Sequence, residues 1–96
     1  MTTKQRAYLR SLAQTIDPVI QIGKDGITEA FLLGVEKAIC KRELIKISVL
    51  QTSPVFAKEA SVKIADAIGA VVVQVIGNKI ILYRKNEEKQ VIFLPR

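Results

Sequence analysis

Gly23-Lys24-Asp25-Gly26 is the one cluster in this chain whose residue types and spacing suggest chemistry, and it lies between a strand-like and a helix-like stretch. Glycine leaves the backbone bare enough for a phosphate to approach. Amides at the start of the following helix point outward, and Lys24 adds a positive charge. This is chemistry for holding an anion rather than for breaking a bond. Two readings stay open for the segment, an anion cradle and an ordinary tight turn from strand to helix. The Walker pattern is absent, because it needs four residues between the glycines and a Lys-Ser/Thr after the second. A KH domain clamps a nucleic-acid backbone with the same GxxG, although there it joins two helices.

Cations are spread along the rest of the chain: Lys4, Arg6 and Arg10 near the start, Lys37, Lys41 and Arg42 in the middle, Lys79, Arg84 and Lys85 towards the end. Fifteen Lys and Arg against nine Asp and Glu leave a net charge of +6 and a pI near 9.7. Such a surplus suits a polyanionic partner, and equally suits a protein that merely stays soluble. Lys24 is expected to share a patch with Arg6 and Arg10, since the first helix leads into the strand before the loop, and Lys4 extends it. Aromatic residues make up only 5 % of the chain. Phe31 and Phe56 fall on expected core stripes, and Tyr8 and Tyr83 suit core edges. Base stacking on a displayed sheet, as in an RRM, is therefore not expected. The pattern points to a grip on backbone and shape with weak sequence readout.

Catalysis has little to stand on. There is no histidine, and Asp17, Asp25 and Asp66 fall on separate elements. Cys40 sits near a helix C-terminus, where the dipole disfavours a thiolate. No catalytic residue, metal site or cofactor is expected, and the chain reads as a binding module rather than an enzyme. One cysteine cannot form an internal disulfide, which fits a reducing cytoplasm. No apolar run reaches the roughly 18 residues of a membrane span, and a monomer is the default.

The elements that must position these residues follow from periodicity. Thr3 to Gln14 carries a helical stripe of Tyr8, Leu9 and Leu12, continued by Ile16, with Thr2 or Thr3 as cap and Asp17-Pro18 as terminator. A strand from Pro18 to Ile22 precedes the glycine loop. A second helix, about Thr28 to Lys41, buries Phe31, Val35, Ala38 and Ile39. Leu44 to Leu50 reads as a strand. A third helix, about Val55 to Ile68, buries Phe56, Ala60, Ile64 and Ile68 before Gly69. Val71–Ile76 and Lys79–Arg84 pair through the Gly77-Asn78 turn. Asn86 to Lys89 is a polar turn, and Val91 to Leu94 a short edge strand. The fold class is α/β, with the order α-β-α-β-α-β-β and a four-stranded mixed sheet in one domain. Its core spans about residues 2–85, with a short extension over 86–96. Alternation places Ile20, Ile22, Ile45, Ile47, Val49, Val71, Val73 and Val75 on one face. Gln21, Lys46, Ser48 and Gln74 fall on the other. Helices two and three should cover the apolar face and leave the second partly open.

These residues resemble a known family. Thr3-Lys4-Gln5-Arg6 with Leu9, Arg10 and Leu12-Ala13, then Pro18-Val19 and Ile22-Gly23-Lys24-Asp25-Gly26-Ile27-Thr28-Glu29, look like the opening of a CRM domain (chloroplast RNA splicing and ribosome maturation). Glu43-Leu44-Ile45-Lys46, Val73-Gln74-Val75-Ile76-Gly77 and Leu82-Tyr83-Arg84 fit its later blocks. Arg42 stands where the family usually has histidine. At this length the chain is similar to the free-standing bacterial YhbY-type proteins. The resemblance implies a fold like the C-terminal domain of the third bacterial translation initiation factor. It implies binding to precursor large-subunit ribosomal RNA and help in ribosome assembly; in plants, similar domains act in group II intron splicing. It also implies RNA contact at Gly23, Lys24, Asp25 and Gly26, extended by basic surface around the first helix. Two other functions fit the residues. One is a general nucleic-acid coating protein. The other is a protein-interaction module brought to the ribosome by a ribosomal protein, using a face near Val72, Ile76 and Tyr83.

Overall fold

The computed structural model describes all residues from 1 to 96. Helix α1 (Thr3–Ala13) begins at Thr2, whose hydroxyl accepts the Gln5 amide at 3.1 Å while the Gln5 side chain accepts the Thr2 amide at 3.1 Å. This reciprocal box satisfies two amides that the first turn leaves unpaired. Strand β1 (Ile20–Ile22) leads through the glycine turn to α2 (Glu29–Arg42), which starts at Thr28 as expected. Then come β2 (Leu44–Val49), α3 (Ala57–Ile68), β3 (Val71–Ile76) and β4 (Lys79–Tyr83).

The sheet order is β1-β2-β4-β3, with β1 parallel to β2 and β4 antiparallel to both its neighbours. β3 therefore runs parallel to β2 with β4 inserted between them, and α3 makes the crossover. The expected element order and mixed four-stranded sheet are both present.

Two cores lie on opposite faces. Helices α2 and α3 pack Val35, Ile39, Ala60 and Ile64 onto Ile22, Ile45, Ile47, Ile80 and Leu82. On the second face, α1 packs Leu9 and Ala13 onto Leu44, Val73, Ile81 and Tyr83. The second face is thus half covered, and the cover is α1.

Three expectations need correction. Val71 and Val73 do not share a face with the α2–α3 core: Val71 lies opposite Tyr83 and is 38 % exposed. A bulge between Val72 and Gln74 inserts one unpaired residue into β3 and re-phases the strand. As a result Val72 and Val75 pack towards α2 and α3, while Val73 joins α1. Phe56 is not in the core: α3 begins one residue later, Phe56 is its extended N-cap, and the ring is 85 % exposed. A residue outside the helical backbone loses the 100° phase of the stripe, so Ala57 and Val55 take the inward places.

The third correction is at the C-terminus, where residues 91–94 form no strand. This segment is a strap pinned by Glu43, which is fully buried at the end of α2 with φ +66. Its carboxylate accepts amides from Asn86 and Val91 at 2.7 Å each and from Ile92 at 2.5 Å. Beyond this latch, Ile92 and Leu94 pack on the α1 core, and the Gln5 side chain donates to the Pro95 carbonyl at 3.1 Å. Burial pushes the Glu43 carboxyl up, but the three amides and the charge of Lys85 outweigh it and hold the group below its ordinary value.

Candidate nucleic-acid interface

The glycine turn is closed by the Gly26 amide donating to the Gly23 carbonyl at 3.0 Å. Gly26 sits at φ +69, and a Cβ there would come within 3.1 Å of Pro54 Cγ. Glycine is required at 26 on both counts. Gly23 is different, because a Cβ would meet only Leu50 Cδ1 at 3.9 Å, an ordinary contact. Its bare backbone therefore answers no internal need and is open to an approaching group. Lys24 and Asp25 stand exposed at the tip. At the start of α2, Thr28 already takes the Phe31 amide at 3.0 Å. Glu29 lies in the first turn, so with Asp25 the loop carries two carboxylates against one lysine. Alone, it is a weak anion site.

The strong positive feature is on the sheet face that α1 leaves open. The strand registers place Gln21, Ser48, Lys79 and Ile76 in one row across all four strands, and Lys46, Ile81 and Gln74 in the next. Above these rows Arg10 and Gln14 project from α1. Together with Lys46, Gln74 and Lys79 they line a cleft that contains no carboxylate. The three ion pairs of the molecule lie elsewhere, at Lys63–Glu59, Arg84–Glu36 and Lys85–Glu87. Arg10, Lys46, Lys79 and Lys24 are thus unpaired charges. Lys79 does donate to Ser48 Oγ at 3.0 Å, which holds its stem along the sheet. The Gln21–Lys79 row ends beside the glycine turn, because Leu50 donates its amide to Ile22 one residue before Gly23. Through Ser48 and Gln21 this row joins the cleft to the edge strand that carries the turn.

The candidate residues of the sequence divide accordingly. Gly23, Lys24, Asp25 and Gly26 flank the surface at the β1 edge, and Arg10 lies within it. Arg6 stands apart. Its Nη1 donates to the carbonyls of Val72 at 2.7 Å and Val73 at 3.0 Å, so it braces the bulge of β3. β3 is the opposite edge of the sheet from β1, three strand spacings or about 14 Å away. A compact Lys24–Arg6–Arg10 patch is therefore not what the fold builds. Lys4 is in solvent near the start of α1, about 9 Å along the axis from Arg10. Alternation puts Lys46 on the open face and Lys79 counts among the cations of the sequence, but neither is named there as a contact; the register that brings them into adjacent rows is what the sequence does not show. The face expected around Val72, Ile76 and Tyr83 does not exist as a unit. Tyr83 is buried under α1 and Val72 is turned towards α3, leaving Ile76 alone in the open.

Fold and site define a small α/β domain with an open, cationic sheet face edged by a glycine turn. The model of the CRS1/YhbY (CRM) domain matches residues 1–84, and the chain belongs to that family. It is 36 % identical over 95 residues to the probable RNA-binding protein YqeI of Bacillus subtilis, covering 99 % of both chains. It is 38 % identical over 100 residues to an RNA-binding protein of Haemophilus influenzae, covering 100 % of this chain and 96 % of that one. The solution structure of the hypothetical protein SAV1595 from Staphylococcus aureus superposes with a TM-score of 0.82 at 44 % identity, over 99 % of each chain.

Proposed function

We propose that this domain binds structured RNA, specifically precursor large-subunit ribosomal RNA, and assists ribosome assembly by gripping the phosphate backbone. Arg10, Lys46 and Lys79 neutralise phosphates across the open half of the sheet. Lys24 and the bare backbone of Gly23 hold one more at its edge, and Gln14, Gln21 and Gln74 offer hydrogen bonds to sugar or base. The carrying observation is the convergence of unpaired cations on a carboxylate-free cleft, in a chain whose relatives are named RNA-binding proteins. No catalytic constellation is needed for this role.

The test is a titration of the protein against a large-subunit ribosomal RNA transcript and a random duplex DNA, each across a range of salt. Selective RNA affinity falling steeply with salt is the expected result. Equal affinity for both would instead identify a general nucleic-acid coating protein. Weak, salt-insensitive binding to either, with ribosome association that survives RNase, would identify a module recruited through protein contacts.

A further inference from the structure

Phe56 is the most exposed large hydrophobic side chain in the molecule, yet its stem is held stiffly. Its carbonyl accepts the Ala60 amide at 2.9 Å as the first bond of α3. Just before it, Ser53 Oγ donates to the Val55 carbonyl at 2.8 Å and accepts the Val55 amide at 3.1 Å. The ring borders a groove between the β2–α3 connection and the β3–β4 turn, shared with Leu50, Gln51, Lys58, Gly77 and Asn78, and lined by no carboxylate. Val49, Ala57 and Val75 of this groove belong to the α2–α3 side of the sheet, so it meets the cationic face only around the end of the sheet. Asn78 is followed directly by Lys79, and the connection carrying Phe56 packs through Pro54 and Leu50 against the glycine turn.

We propose that Phe56 is a stacking platform for one unpaired base of an RNA whose backbone passes around the end of the sheet between Lys24 and Lys79; this rests on the RNA-binding reading above. An aromatic ring offers any base a sequence-tolerant π-face. The surroundings favour RNA as occupant: Lys58 stands in the groove, no carboxylate lines it, and the connection that carries the ring packs against the glycine turn. A base at Phe56 would sit beside the glycine turn that carries Lys24, around the end of the sheet from Lys79.

The experiment uses the full chain and two RNAs of equal length, a blunt duplex and a hairpin with 2-aminopurine in its loop. Phe56→Ala and Phe56→Leu should each weaken hairpin binding roughly tenfold, leave duplex binding unchanged, and abolish the fluorescence quenching that stacking produces. Phe56→Trp should retain all three properties. The ring is in solvent, so every variant should melt with the wild type, which separates contact from folding. Hairpin binding that is unaffected by Phe56→Ala overturns the platform while leaving RNA binding intact. Full binding by Phe56→Leu overturns it too, since bulk would then suffice without a π-face. Loss of a protein partner in Phe56→Ala with both RNAs bound normally would assign the ring to that partner and overturn the proposal. A wild-type protein that binds neither RNA would overturn the RNA-binding reading itself.

Discussion

Gly23 and Gly26 look interchangeable in a GxxG string, but the backbone separates them. At Gly26, a side chain meets both a positive φ and the Pro54 ring, so Gly26→Ala should cost about 1–2 kcal/mol in thermal or denaturant unfolding. Gly26→Asp should add a repelling charge and weaken RNA binding further. Gly23→Ala should leave stability unchanged. Reduced RNA affinity in that variant would show that the ligand uses the bare backbone, and unchanged affinity would remove the turn from the interface. Glu43 makes the sharpest single-residue prediction about stability. Its folded pKa lies below the ordinary value of 4.5, so its contribution is complete above the unfolded pKa and drains away as pH falls through the folded one. Wild type should therefore lose stability on the acid side, and Glu43→Gln should flatten that part of the curve. At neutral pH the same variant weakens three charge-assisted bonds and should cost roughly 1–3 kcal/mol, measured by urea unfolding.

At the scale of elements, the bulge in β3 and the strap after β4 both depend on partners distant in sequence. Arg6 reaches across 66 residues to the Val72 carbonyl. Arg6→Ala should leave the bulge carbonyls short of a donor and lower stability by about 1–2 kcal/mol. It should leave the salt dependence of RNA binding unchanged, because that guanidinium is already spent on the sheet. A fall in the salt slope would return Arg6 to the binding surface. The strap shows the same dependence. Val91 to Leu94 reads as strand-forming in isolation, but its Val91 and Ile92 amides go to the Glu43 carboxylate rather than to a neighbouring strand. Held by Glu43 rather than laid along the free edge of β1 or β3, the apolar tetrapeptide becomes a cover for the α1 core.

Across the whole molecule, charge is sorted by side. The ion-paired cations are Lys63 on α3 and Arg84 and Lys85 just after β4, while Arg10, Lys46 and Lys79 share a cleft free of carboxylates. Replacing Lys46 and Lys79 together by glutamine should reduce the slope of log affinity against log salt by roughly 1 for each phosphate no longer neutralised. Melting should stay close to wild type, since both side chains are only half-buried. An unchanged slope would move the phosphate contacts off the sheet.

Local chemistry along the chain was enough to determine the three helices and four strands, though not the strap over 91–94. Thr2 and Thr28 cap helices, Gly69 ends one, Gly77-Asn78 turns a hairpin, and alternating Ile and Val mark strands. These signals act over a few residues and are therefore readable without the fold. The family was legible for a related reason, since its blocks are short runs at consistent spacing across residues 1–84. Tertiary structure alone decided which side of the β3–β4 hairpin meets β2, where the bulge falls, and that α1 covers half of the second face. Each is a competition between long-range packings that leave nearly the same local pattern. The same competition removed Arg6 from the surface, brought Lys46 and Lys79 into one row system, and left Phe56 in solvent. One residue of strand register or about two residues along a helix reverses a side chain's direction, and only the completed packing selects between them.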